Sequence, residues 1–190
     1  MSATATVKHG LEATTGYLRR LLGAVVLDPG TYEEIEADES ATMQAFVTVL
    51  LSSVAAGLGS RGLGGSTVAN IVFVSTVALL SWAAWALVTF EIGVRLMPQP
   101  QTRSNVGELL RTIGFATAPG CLRVLGVLPG STVPVFALSA IWMLAAMVVA
   151  VRQALDYEST ARAVAVCALG WVLAIAMAVV IGVVFGPSVS

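Results

Sequence analysis

The sequence predicts an all-α integral membrane protein, with five transmembrane helices preceded by a cytoplasmic amphipathic interfacial helix. Three observations predict it. The 190 residues are 57% hydrophobic and 11% charged, with a mean hydropathy of +0.88; a globular chain carries about a quarter charged residues, and one aqueous core cannot hide so much apolar surface. Uncharged runs recur along the chain at the roughly 20 residues that a helix needs to cross a bilayer. Arginines cluster at alternate ends of those runs, as short cytoplasmic loops favour.

The first element lies ahead of the membrane. The opening stretch MSATATVKHGLEATTGYLRR has no apolar core, so it is not read as a signal peptide. Leu18, Leu21, Leu22, Val25 and Val26 follow helical spacing, with Arg19 and Arg20 beside the stripe. Such a helix lies either in the inner headgroup layer or on its own protein's cytoplasmic face, and both readings stay open. Asp28-Pro29-Gly30 then turns the chain, and Thr31 with Glu34 is expected to form a capping box for the short acidic helix TYEEIEADES. Residues 1–39 are therefore a cytoplasmic N-terminal segment and 40–190 the membrane domain.

Four spans follow from uncharged runs: about 42–59, 67–95, 132–154 and 161–185. The stretch about 106–127 is disputed, because Pro119 interrupts it and Arg123 lies inside it. Arginine positions decide the matter. With five spans and the N-terminus inside, the inner side collects Lys8, Arg19, Arg20, Arg95, Arg103, Arg111, Arg152 and Arg162, and only Arg61 falls in an outer loop. Asn105 and Glu108 mark a helix start at the cytoplasmic edge. Pro119 is expected to kink this third span, Pro129 and Gly130 to make the outer turn, and Pro134 to sit in the next helix's first turn.

Charged groups in or beside spans are functional candidates by default. Glu91 and Arg95 are one turn apart, as are Arg152 and Asp156, the latter followed by Tyr157 and Glu158. Arg111 and Arg162 open the third and fifth spans at similar depth. These groups gather on one face, where they anchor the topology or form a charge network that fixes the cytoplasmic mouth or docks a partner. A proton relay needs acidic groups at mid-membrane, and the sequence places none there. Arg123 lies in the outer third of its span without an acid at its depth, so it is expected to snorkel outward to lipid phosphate or to the carbonyls of the 127–131 turn.

Gly170, Ala174, Ala178, Gly182 and Gly186 place a small residue at every fourth position of the last span. Such a ladder lets helix backbones approach closely, within the protomer or toward a partner. Trp82, Trp85, Trp142 and Trp171 read as core or interface anchors, and Cys121 and Cys167 as small packing residues. No catalytic set, cofactor-binding motif or metal-ligand spacing stands out, and no basic run is able to track nucleic-acid phosphates. GLGSRGLGG, from Gly57 to Gly65, lacks the context of a phosphate loop and reads as a linker.

The layout resembles the prokaryotic branch of the Yip domain family, named for Ypt/Rab-interacting proteins. The residues that carry the resemblance are LLGAVVLDPGTYEEI before the first span, GFATAPG in the third and IWMLAAMVVAVRQALDY closing the fourth, from about Leu21 to Val184. The resemblance implies five spans, a cytoplasmic N-terminus and an adaptor or assembly role, with Pro119, Gly120, Arg152, Asp156 and Tyr157 at matching positions. Eukaryotic members bind Rab-type GTPases and carry an acidic-Leu-aromatic-Gly-Pro motif before the first span; this chain has LDPG there, which counts against GTPase binding. The nine-to-one lean toward arginine over lysine points to a GC-rich prokaryotic genome, hence to a cell (inner) membrane with the C-terminus outside.

The expected function is that of a non-enzymatic adaptor, scaffold or subunit of a membrane assembly, with lipids and a second copy or another membrane protein as partners and with no cofactor. The alternative is a small oligomeric transporter or channel that uses the interrupted third span and Arg123.

Overall fold

The computed structural model describes residues 3–60 and 68–185, which form helices and no strand. Seven α-helices run in chain order: α1 (Ala3–Val25), α2 (Pro29–Ala37), α3 (Ala41–Gly59), α4 (Val68–Phe90), α5 (Val106–Phe115), α6 (Thr132–Ala154) and α7 (Thr160–Phe185). A π-helical stretch, Glu91–Leu96, prolongs α4, and a 3-10 helix, Ala118–Val127, follows α5. Among the described residues, three stretches are long and apolar enough to cross a membrane: Ala41–Gly59, Leu79–Leu96 and Thr132–Ala154.

The third apolar segment is broken rather than kinked. Proline lacks an N–H and its ring crowds the carbonyl four residues back, which for Pro119 is that of Phe115, where α5 ends. Thr117 covers the break: its N–H and hydroxyl both donate to Gly114 O, at 3.1 and 2.7 Å. The chain then continues as a 3-10 helix for ten residues, a long run for that geometry. At its other end α5 opens on the expected capping box. Asn105 accepts from Glu108 N at 3.0 Å, and Glu108 accepts from Asn105 N at 2.9 Å.

The start of α2 differs from expectation. Asp28 is the cap, accepting from Thr31 N at 2.9 Å and Thr31 Oγ at 2.6 Å, and Pro29 occupies the first helical turn, where no N–H is needed. Glu34 is released from a capping role and pairs with Arg19 at 2.5 Å and Arg20 at 3.0 Å. Arg20 also reaches Asp38 at 2.6 Å and Gln44 at 3.1 Å, tying α1 and α2 to the start of α3. The acidity of this short helix thus answers the arginines of its neighbour.

One face of α1 packs on the rest of the protein. Tyr17, Leu21, Ala24 and Val25 pack on a core made with Tyr32 and Ile35 of α2, Ala45 of α3, Phe115 of α5 and Ala146 of α6. Leu18, Leu22 and Val26, one turn apart from each other, are 50, 64 and 69% exposed. Trp142 Nε1 of α6 donates to Val25 O at 2.7 Å, so the tip of the α1–α2 hairpin lies alongside the middle of α6.

The tightest seam joins α3 to the third segment. A methyl group on Gly114 would stand 2.6 Å from Ala45 Cβ, one on Gly120 2.0 Å from Ser52 Oγ, and one on Gly59 1.9 Å from Arg123 O. Positions 45, 52 and 59 recur every seven residues on the α-helix. They face 114, 120 and 126, which recur every six on a segment that is half α and half 3-10. Small residues permit this backbone approach. A second core, with Ile92, Leu109, Ile113, Val151, Leu155 and Val166, joins α4, α5, α6 and α7.

Candidate functional site

One end of the molecule collects the polar residues: α2, the π-helical stretch, the start of α5, the end of α6 and the start of α7. Arg111 is buried at 6% exposure. Its Nε donates to Ile35 O at 3.2 Å and Glu36 O at 3.1 Å, and Nη2 donates to Glu36 O. Those carbonyls belong to the last turn of α2, where helical oxygens have no partner of their own. Arg111 is therefore a C-terminal clamp on α2.

The end of α6 is closed by its own geometry. Asp156 adopts φ +52°, Tyr157 N donates to Arg152 O at 2.9 Å and Asp156 N to Gln153 O at 2.9 Å, the double bond of a Schellman stop. Arg152 does not pair with Asp156. Its Nε donates to Tyr157 O at 3.2 Å and its Nη2 to Glu158 O at 3.4 Å. Tyr157 is buried, and its hydroxyl contacts Gly93 O at 3.0 Å and Met97 O at 2.9 Å. The π-helical winding spaces these carbonyls so that one phenol serves both. Arg162 Nη1 donates to Pro98 O at 3.3 Å. Glu91 and Arg95 do pair, at 3.0 Å, on the exposed side of the π-helical stretch.

The pole thus differs from the charge network that the spacing suggests. Arg111, Arg152 and Arg162 bond backbone carbonyls, and the carboxylates are left to a recess of about 580 Å³ bordered by Glu33, Glu36, Gln101, Arg152, Asp156 and Glu158. Gln153 Nε2 donates to Glu33 Oε1 at 2.7 Å and holds that wall in place. Sequence spacing missed Glu33, Glu36 and Gln101; the clue was the run of acids in α2, more numerous than the arginines of α1 can neutralise.

Glu36 is the electrostatic outlier. Burial foremost, then the nearby Glu108 and Asp156, push its carboxyl from 4.5 up to about 7, against the pull of Arg111. The folded protein holds this proton more tightly than the unfolded chain. Its contribution to stability is full below about pH 4.5 and is lost as pH rises through 7. The melting temperature in detergent is expected to fall between pH 5 and pH 8, with a flatter profile in Glu36→Gln. An equal pH slope in that variant would assign the effect to other groups.

Pro119 and Gly120 are buried at the break and on the seam, away from the pole. Arg123 bonds none of the carbonyls of the 127–131 turn: its Nε donates to Ser139 Oγ at 3.2 Å, and its Cζ lies 5.5 Å from the centre of the Phe136 ring. In the α7 ladder, Gly170 packs on Trp85, whose ring would stand 2.9 Å from an added methyl. The surroundings of Ala174, Ala178 and Gly182, and all of Gly186, lie outside the described residues.

Comparison with the curated proteins and with the solved structures gives no match. The family model described as the Yip1 domain matches residues 23–181. That range starts within α1 at Gly23, against which Thr31 of α2 packs, and ends inside α7, taking in both cores and the whole polar pole. The chain belongs to the Yip1 domain family.

Proposed function

We propose that the protein is a non-enzymatic adaptor or subunit of a prokaryotic cell-membrane assembly, and that it docks a basic segment of a partner protein in the recess at its polar pole. The observation that carries this reading is the division of labour at that pole. Arg111, Arg152 and Arg162 bond backbone carbonyls, while Glu33, Glu36, Asp156 and Glu158 border the recess. A partner's lysines or arginines complete such a set of carboxylates.

In this reading the pole is cytoplasmic and the chain crosses five times, ending outside. The third crossing combines α5 with the 3-10 helix. Ten residues at 1.5 Å and ten at 2.0 Å rise about 35 Å, enough for a hydrocarbon layer of about 30 Å. The α1–α2 hairpin rests on the bundle with Leu18, Leu22 and Val26 turned to lipid in the inner leaflet.

The test is purification from native membranes in a gentle detergent, with mass spectrometry of co-eluting proteins. A partner at fixed stoichiometry is expected with the wild type and is expected to be lost from the Glu33→Gln/Glu36→Gln/Asp156→Asn variant, whose melting temperature confirms that it is folded. Absence of a partner from the wild type, or equal recovery with the variant, sinks the docking role.

A further inference from the structure

Arg123 stands where two cavities meet. The larger, about 320 Å³, is bordered by Ser52, Trp82, Trp85, Ile113 and Met147; the smaller, about 190 Å³, by Ala140, Leu144 and Trp171. Arg123, Met143 and Met147 line both. Among the described residues, no carboxylate pairs with Arg123 and no acidic side chain borders either cavity. Nε is used by Ser139, and among the described residues the two terminal nitrogens have no hydrogen-bond acceptor. Trp85 Nε1 is buried and also lacks an acceptor among the described residues.

The polar groups that line the site are thus the Arg123 guanidinium, the Trp85 indole N–H and the hydroxyls of Ser52, Ser53, Ser81 and Thr117, with one positive charge and no carboxylate, and the rest of its wall is apolar. A guanidinium with free terminal N–H groups matches a phosphate bidentately, and the methionine- and tryptophan-lined space suits hydrocarbon. Depth fits the same ligand. Ser139 lies about 10 Å along α6 from its first residue, and Met147 about 12 Å further, so the charge sits within the first third of the helix and the apolar space runs past its middle. Leu144 and Trp171, 46 and 49% exposed, open the smaller cavity to the lipid-facing side.

We infer that Arg123 and the two cavities flanking it form a site for a membrane phospholipid, with the phosphate on the guanidinium and the acyl chains in the cavities. This site is separate from the recess at the polar pole, and its test does not depend on a protein partner.

The full chain is purified from native membranes in a mild detergent, and bound phospholipid is measured by native mass spectrometry and by extraction. The wild type is expected to retain phospholipid stoichiometrically, and Arg123→Gln to retain about tenfold less. Met143→Trp fills the space shared by the two cavities while keeping the charge, and it is expected to lose lipid as well; it carries the test if the arginine variant fails to fold. Arg123→Lys retains more than Arg123→Gln. Phospholipid absent from the wild type, or equal in wild type, Arg123→Gln and Met143→Trp, overturns the assignment. So does inorganic phosphate that raises the melting temperature of the delipidated wild type as much as phosphatidylglycerol micelles do, because the site then takes a free anion.

Discussion

Gly59→Ala is expected to leave little correctly folded protein. The added methyl would stand 1.9 Å from the carbonyl oxygen of Arg123 and 2.9 Å from its carbonyl carbon. Those are backbone atoms of the 3-10 helix, which cannot rotate away as a side chain does. The neighbouring Gly126 is already close, since a methyl there would meet Gly59 O at 3.0 Å. Relief requires α3 and the third segment to separate along the whole seam, loosening the contacts of Ala45 with Gly114 and of Ser52 with Gly120. Overpacking of this kind costs about 3 kcal/mol or more, at the upper end of the usual range. Gly16→Ala is the matched control: nothing lies within 4 Å of its added methyl, and alanine in a helix is favoured over glycine by about 0.5–1 kcal/mol. Size-exclusion profile and thermal melt in detergent separate the two variants, and a Gly59→Ala protein that melts with the wild type would refute the close approach.

This seam also shows what the sequence conceals. The α7 ladder stands out because its residues recur at a single helical period. The α3 seam uses a period of seven on one side and six on the other, because half of the facing segment is 3-10, and no search at one period registers both. The helices themselves are legible: hydropathy and charge placement locate α3, α4, α6 and α7, and Asn105 with Glu108 marks the start of α5. Proline at 119 announces an interruption. Whether the chain resumes as α, as 3-10 or as a loop depends on the packing of Ala118, Pro119 and Gly120 against α3. The polar pole is legible as a gathering of charges but not as a wiring diagram. Arg152 and Asp156 have the spacing of a helical ion pair, yet the helix stops between them, and Asp156 leaves the helical surface at φ +52°. Backbone carbonyls, which take the arginines instead, carry no residue identity and leave no trace in the sequence.

Arg111→Met should therefore destabilise the protein far beyond the loss of a surface charge. Methionine keeps much of the side-chain length and apolar stem but has no donor. The carbonyls of Ile35 and Glu36 then lose their clamp beneath a core that includes the fully buried Tyr32 and Ile35. A buried acceptor without a partner costs about 1–3 kcal/mol, and the positive charge at the C-terminal end of α2 adds its own attraction to the helix dipole. A total near 3 kcal/mol is expected. Arg111→Lys restores the charge but not the fork that reaches two carbonyls, and is expected to fall between the two. Hydrogen exchange over residues 29–37 distinguishes a local clamp from general destabilisation. Loss of the clamp frees α2 at concentrations of denaturant that leave α3 and α6 protected, because those helices are held by contacts that do not involve Arg111. If α2 exchanges no faster in Arg111→Met than in the wild type, the helix is held by its apolar face alone, and the arginine is an anchor for the membrane surface rather than for the fold.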